Sequence, residues 1–297
     1  MIKSDNSFFR TDGDFASSVQ KAESDYERSL NLITSEICAN DGVKLVAIAG
    51  PSSSGKTTST KKLVKKLEMH GVNSCVISID DFFFTPDASS LKMDGNTDFE
   101  SLSNIDLDML HECLHNLTRG MPAQIPVFDF VGKRRSDDTI TLTPSENQIF
   151  LLEGLHALNP LIYSKAVSDE RVYKIYLNTF MPDGSMAETA RLMRRIVRDY
   201  HFRAASAEFT LYLWDSVMRG ERENITPFVN LSNAKVNTYL RYEPSVMKPY
   251  LERILSEVGT DSKYYPKAES LLEYLSSVTP MSEKYVPDAS LLREFIG

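Results

Sequence analysis

The sequence predicts an α/β fold, a parallel sheet flanked by helices, with a helical lid and a helical C-terminal part. Three observations carry that expectation. Short, nearly continuous apolar runs recur along the first 180 residues, as strands covered on both faces should look. A segment of helical period separates the first two runs, and strand, helix, strand within about 35 residues is the βαβ signature of a parallel sheet. A glycine-rich turn lies where the first run meets that helix.

From Phe15 to Cys38 the apolar residues Val19, Tyr26, Leu30, Ile33 and Ile37 fall at intervals that suit an amphipathic helix, closed by Asn40, Asp41 and Gly42. Val43 to Ala49 (VKLVAIA) is the first strand. Thr57 to His70 reads as a helix ended by Gly71, with Lys61, Lys62, Lys65 and Lys66 on a solvated outer face. Ser74 to Ile79, Ile149 to Leu152 and Val172 to Leu177 repeat the strand type, with helical or mixed segments between them. Asp87 to Asp98 is polar, contains Gly95 and reads as a loop. The second half of the chain is mainly helical: Ala187 to Tyr200, Ala207 to Arg219, Val246 to Val258 and Ala268 to Ser276. The tail from Thr279 to Gly297 carries Leu291, Leu292, Phe295 and Ile296 and is expected to dock on the domain. The expected organisation is an N-terminal helical extension over residues 1–42 and one compact domain over 43–297, with an Arg-rich lid at about 185–206.

Composition narrows the function. The 297 residues are 42% hydrophobic and 25% charged, near the globular norm, which excludes a disordered, collagenous or coiled-coil chain. No apolar run approaches the roughly 18 residues that cross a bilayer, so no membrane association is expected. The first ten residues lack an apolar core and a small-residue cleavage site, so secretion is not expected. Lys and Arg number 33 against 41 Asp and Glu, and the net charge of −8 argues against an electrostatic grip on nucleic acid. Cys38, Cys75 and Cys113 match no zinc or disulfide spacing, and reduced thiols in a cytoplasmic protein are expected.

Residues 50–58 read GPSSSGKTT, that is Gly50, Pro51, Ser52, Ser53, Ser54, Gly55, Lys56, Thr57 and Thr58, a full match to G-x-x-x-x-G-K-[ST]. The glycines let successive N–H groups turn inward on phosphate oxygens. Lys56 sets a cation on the β- and γ-phosphates, and Thr57 offers a hydroxyl to Mg²⁺. The helix that starts there adds its positive end. The fold expectation is thereby a P-loop NTPase. No N-K-x-D element or L-S-G-G-Q signature is present, and Glu153 in FLLEG stands as a single acid. Small-molecule kinases remain ahead.

Asp80 and Asp81 follow the second strand in ISIDDFFF. Carboxyl ends of parallel strands face the ligand crevice, and a kinase of alcohols needs a carboxylate to accept the hydroxyl proton. Arg191, Arg194, Arg195 and Arg198 fall at i, i+3, i+4 and i+7, one helical face, with Arg203 following. Such a cluster suits a lid that clamps phosphoryl oxygens; a salt-bridged surface is the alternative. His156 reads as a satisfied structural histidine near the crevice. Tyr212 and Trp214 read as core or lid packing.

GPSSSGKTT, SIDDFF, DFES, PVFDF, LLEGLHALNP, RRIVRDYHFR, the W-x-x-V-x-x-G-E-x-x-N-I-x-P-F run from Trp214 to Phe228 and the closing LLREFIG together resemble the uridine kinase and phosphoribulokinase family. The likeness is nearest to bacterial uridine kinase-like nucleoside kinases that carry an N-terminal threonyl-tRNA synthetase-like region, which is expected to be absent here. The resemblance spans roughly Lys44 to Gly297 and implies a nucleoside monophosphate kinase-like sheet and lid. It implies Asp80 as catalytic base with Asp81 beside it, Thr57 and Glu153 at the Mg²⁺ positions, and ATP as phosphate donor. It implies Glu100 on the ribose hydroxyls and Phe128 and Phe130 as walls of a base pocket. Arg195, Arg198 and Arg203 match arginines that touch the substrate or the transferred phosphates, Arg198 on the catalytic side and Arg203 on the ATP side.

The likeness also has gaps. Where uridine–cytidine kinases use Tyr and His to read the pyrimidine edge, this chain has Phe128 and Lys133. Phe lacks the hydroxyl and Lys donates without accepting, so pyrimidine readout by those contacts is not implied. Ala205 replaces a lid arginine and Leu213 a polar residue. The expected activity is an ATP- and Mg²⁺-dependent kinase acting on the 5′-hydroxyl of a nucleoside. The alternatives are a kinase of another small alcohol, such as a sugar phosphate, and a non-catalytic nucleotide-binding regulator. A homo-oligomer is compatible with the sequence.

Overall fold

A computed structural model of the chain describes residues 12–86, 100–130, 132–181 and 188–297. Helix α1 (Asp12–Cys38) leads to β1 (Leu45–Ala49), α2 (Lys56–Met69) and β2 (Ser74–Ser78), whose end tightens into a 3₁₀ turn over Ile79–Phe82. Then come α3 (Leu107–Thr118), a hairpin of β3 (Ala123–Asp129) and β4 (Arg134–Leu142), and the strands β5 (Ile149–Glu153) and β6 (Val172–Asn178). Helices α4 (Glu188–Arg203) and α5 (Ala207–Asn224) precede β7 (Ala234–Asn237), and α6 (Glu243–Leu255), α7 (Tyr265–Ser276) and the short α8 (Arg293–Ile296) close the chain. The expected loop at Asp87–Asp98 lies outside the described residues, as does the start of the expected lid.

The main sheet has five strands in the order β2-β5-β1-β6-β7, all parallel. Every residue of β1 and β6 is buried, as continuous apolar runs between two helical layers require. The register decides where the site can be. Ile48 of β1 and Ser78 of β2 both lie opposite Glu153 of β5, so three adjacent strands end at one level and deliver residues 50–55, 80 and 153 to the same rim.

The five apolar residues of α1 named from the sequence are all buried, in one cluster with Leu63 and Leu67 of α2 and Leu251 of α6. Polar bonds strap the same helix down. The Tyr26 hydroxyl meets the Ser59 hydroxyl at 2.7 Å, and Glu27 pairs with Lys62 at 2.5 Å and Lys66 at 2.7 Å. Lys62 and Lys66 are therefore not on a solvated face; α1 covers them, and only Lys61 and Lys65 are exposed. The C-terminal tail docks as expected, with Leu291, Leu292 and Phe295 fully buried. Among the described residues, no helix is long and apolar enough to cross a membrane.

Two elements run against the sequence expectation. The segment 123–142 was expected to be helical or mixed and is an antiparallel hairpin. Seven of the nine β4 residues carry polar or charged side chains, the exceptions being Ile140 and Leu142 at its end, and most are exposed, so no apolar alternation announces the strand. Its turn takes Lys133 to φ +50, a conformation that composition does not reveal. Strand β7 is four residues long with one buried side chain, Val236.

Candidate active site

The loop after β1 turns tightly. Gly55 sits at φ +83, in the left-handed region, and a Cβ there would lie 2.5 Å from Leu291 Cδ1 of the C-terminal tail. Both facts call for glycine. Ser53, though not glycine, stands at φ +59. The Lys56 ammonium folds back on the loop, donating to the Gly50 carbonyl at 2.8 Å and to the Pro51 carbonyl at 3.4 Å. Thr57 is exposed at the first turn of α2, and Thr58 donates its amide at 3.3 Å and its hydroxyl at 2.6 Å to Glu294 Oε2 of α8.

Acids gather around Lys56. The Ser78 hydroxyl accepts from the Asp80 amide at 3.3 Å and fixes the turn that carries the aspartates. Desolvation pushes the Asp80 pKa up, countered by the Lys56 cation and reinforced by Asp81. Asp81 is also raised by burial, while its Oδ1 accepts from the Phe128 amide at 3.4 Å. Glu153 is raised by burial too, with Lys56 pulling it down, Asp80 and Glu294 pushing it up, and the Thr57 hydroxyl bonding it. Its Oε2 is buried without a hydrogen-bond partner. A hydroxyl beside an orphaned carboxylate oxygen is a hard-oxygen pair that fits Mg²⁺, an ion that takes one or two carboxylates and completes its shell with water and phosphate. Among the described residues, no group of three or more His, Cys, Asp or Glu side chains could hold a metal by itself.

The arginines of α4 divide in two. Arg195 and Arg198 are half-buried, Arg203 is exposed, and all three converge on Asp199 at 3.2 Å each. Arg195 also donates to the Ser52 hydroxyl at 2.6 Å. Burial, then crowding by Arg203, lowers the Arg198 pKa to about 10. Arg191 and Arg194, by contrast, are fully buried and paired with Glu221 and Glu243, each at 2.7 Å. The expectation of one clamping face is corrected for these two. Ridges at i and i+3 point into the core here because α4 is covered by α5, α6 and α8.

Glu100 lies against α5. Its carbonyl accepts from Asn224 Nδ2 at 2.9 Å, and a Cβ on Gly220 would come within 2.9 Å of its Cβ, Cγ and Oε2. Glu100 also acts electrostatically on Arg195. His156 is buried with its ring against the Glu100 backbone, which bonds it, and burial lowers its pKa to about 4. It is therefore a neutral imidazole at neutral pH. Phe128 is buried in edge contact with Phe83 and with Phe130, whose ring is 5.0 Å away and 54% exposed. Lys133 is exposed at the hairpin turn beyond them. Trp214 is buried, as expected of a packing residue.

Four contributors escaped the sequence reading. Arg135 of β4 donates to the carbonyls of Phe82 and Phe83 at 2.8 and 3.1 Å and to Asp106 at 2.9 Å, locking the turn behind Asp80. Gly220 and Asn224 shape the Glu100 contact, and Glu294 reaches the loop from the far end of the chain. Gly220, Asn224 and Glu294 lie inside runs whose pattern was visible; nothing local marks Arg135.

Comparison with known proteins fits this geometry. The model of the phosphoribulokinase/uridine kinase family matches residues 45–239. The uridine kinase of Staphylococcus haemolyticus (strain JCSC1435) is 31% identical over 177 residues, 59% of this chain and 77% of that protein. That of Staphylococcus aureus (strain JH9) is 32% identical over the same length and shares. A solved structure described as a possible uridine kinase from Bacillus stearothermophilus overlays with a TM-score of 0.47 at 16% identity, covering 71% of this chain and 98% of that one. The chain thus belongs to the phosphoribulokinase/uridine kinase family, and is a kinase, an ATP-dependent phosphotransferase.

Proposed function

We propose that the protein transfers the γ-phosphoryl group of ATP to the 5′-hydroxyl of a nucleoside, residues 43–297 forming the kinase unit and 1–42 its N-terminal extension. The observation that carries this reading is Asp80, a desolvated carboxylate within the field of Lys56 at the rim where β1, β2 and β5 end. A raised pKa brings a carboxylate nearer to neutrality, where a general base works best.

Asp80 accepts the proton of the acceptor hydroxyl as the phosphoryl group arrives. Residues 50–58 hold the donor phosphates through backbone amides, and Lys56 leaves the Gly50 carbonyl to neutralise β- and γ-charge. Thr57 and Glu153 would hold Mg²⁺, which supplies Lewis-acid neutralisation of the phosphate oxygens. Arg198 and Arg203 close over the transferred group from the donor side, and Arg195 faces the acceptor. On that side Asp81 fixes the hairpin through the Phe128 amide, Glu100 takes the ribose hydroxyls, Phe128 and Phe130 wall the base, and Lys133 lies at the rim. A phosphorylated sugar is the second reading, favoured by the charge of Arg195 next to Glu100.

The test is Mg·ATP-dependent transfer to uridine, cytidine, purine nucleosides, deoxynucleosides, ribulose 5-phosphate and pantothenate, with Asp80→Asn as control. Nucleoside turnover that varies with the base and disappears in the variant is expected. Turnover of ribulose 5-phosphate alone would sink the nucleoside claim and keep the kinase. A wild type that binds ATP but phosphorylates nothing would favour a regulator.

A further inference from the structure

We propose that Arg191 and Glu221 form a buried bracket that sets the phosphate loop and ties it to the helix against which Glu100 rests. They are positioning residues, and the proposal rests on reading residues 50–58 as the donor site. The Arg191 guanidinium donates Nη1 to the Ser52 carbonyl at 3.4 Å and Nη2 to Glu221 Oε2 at 2.7 Å. Glu221 lies on α5 between the two residues that meet Glu100, directly after Gly220 and one turn before Asn224. A chain of contacts therefore runs from the loop through Arg191 and Glu221 to the acceptor side. Arg194 makes a parallel contact one residue on, donating to the Ser53 carbonyl at 3.2 Å while paired with Glu243.

The peptide plane explains what the bracket does. Carbonyl and following amide point to opposite sides of a rigid unit, so holding the Ser52 oxygen on the α4 side turns the Ser53 amide away from α4. Ser53 itself sits at φ +59. A non-glycine residue there is strained and persists only where its surroundings over-determine it. Stability is a poor reason for the pair, because a buried ion pair replaced by apolar residues of similar volume is often neutral or stabilising. Orientation of the loop is the better one.

That asymmetry supplies the test. Arg191→Met with Glu221→Leu removes both charges together and leaves neither unpaired. The chain's single tryptophan, Trp214, lies on α5 with its ring 5.7 Å from Arg191 Cζ, so its emission reports on the bracket. Wild type and double variant are titrated with Mg²⁺ and a non-hydrolysable ATP analogue, by calorimetry and by Trp214 emission, and kcat and KM are measured with whichever acceptor turns over. The double variant is expected to melt as a cooperative fold, to bind the analogue about tenfold more weakly, and to lose roughly a hundredfold in kcat/KM. The emission change seen in wild type should disappear. A folded double variant with wild-type affinity and kcat/KM would overturn the bracket. Should that variant not fold, Arg191→Lys keeps the charge opposite Glu221 but lacks the fork that holds two partners at once, and the same measurements decide. A wild type that binds no analogue would overturn the donor-site reading and the bracket with it; failure of the bracket alone leaves wild-type binding intact.

Discussion

Gly220→Ala should separate acceptor binding from everything else the protein does. The added methyl would lie 2.8 Å from Glu100 Cβ, 2.9 Å from Cγ and 2.9 Å from Oε2. The Cβ among these is bonded to the backbone, which Asn224 holds at the Glu100 carbonyl, so the clash is not relieved by turning the far end of the side chain. The whole residue must move. Two stability effects oppose each other: Ala gains about 0.8–1 kcal/mol over Gly inside a helix, and overpacking costs about 1–3 kcal/mol. Their difference leaves a change of at most about 2 kcal/mol, too small to unfold an ordinary domain. Function has no such offset. Losing a hydrogen bond between a substrate hydroxyl and the Glu100 carboxylate costs about 1.5–3 kcal/mol, which is about 10- to 150-fold in kcat/KM for the acceptor. The assay is steady-state kinetics with each substrate varied in turn. KM for the acceptor should rise while KM for Mg·ATP stays within about twofold. Equal loss for both substrates, or unchanged acceptor kinetics in a folded variant, would refute the reasoning that Gly220 makes room for Glu100.

Three further outcomes follow from the same geometry. Glu294→Gln removes a negative charge from the Thr58 amide and hydroxyl, groups the donor phosphates would also use; with a carboxylate at a helix N-terminus worth about 0.3–1 kcal/mol, calorimetry should find Mg·ATP bound about two- to fivefold more tightly, and weaker binding would mean that Glu294 supports the loop. Leu30→Ala, at a position on the inner face of α1 that is 2% exposed, should cost about 2–5 kcal/mol in urea unfolding with kcat unchanged; a loss under about 1 kcal/mol would show that α1 is not part of the core. Asp80, its folded pKa raised, binds more protons folded than unfolded between the ordinary aspartate value and its own. The stability it contributes is thus present at low pH and lost as pH rises through the folded pKa, so Asp80→Asn should raise the melting temperature at pH 7 while abolishing turnover, and the acid limb of kcat/KM should lie above the ordinary aspartate range; a variant that melts lower at pH 7 would contradict the burial argument.

The strands that deliver the site were legible because burial on both faces leaves a long apolar run, and β1, β5 and β6 are such runs. The phosphate loop was legible because its conformation restricts residue type, as the left-handed Gly55 requires. The hairpin over 123–142 was not, since a strand with a solvated face and polar sequence has no period to detect. The arginines illustrate a different limit. Helical spacing shows that Arg191, Arg194, Arg195 and Arg198 share a face, but whether a carboxylate from another element arrives opposite each one is decided by Glu221 and Glu243, 30 and 49 residues further along. His156 meets the same limit, since its partner, the Glu100 backbone, is brought to it by tertiary packing alone.

That division between paired and crowded charges separates scaffold from site. Arg191–Glu221 and Arg194–Glu243 are each neutral as a unit and buried, and they brace the loop from behind. At its mouth the charges are segregated instead. Asp80, Asp81 and Glu153 crowd on one side, with burial and mutual repulsion raising Asp80 and Glu153. Arg195, Arg198 and Arg203 crowd around Asp199, and burial followed by repulsion from Arg203 lowers Arg198. An anion alone would relieve the arginines and worsen the acids; a cation alone would do the reverse. A polyphosphate carrying a divalent cation offers each cluster the opposite charge, and Lys56 already acts on Asp80 and Glu153. The free protein holds this arrangement at a cost in stability, as sites organised for a charged transition state commonly do.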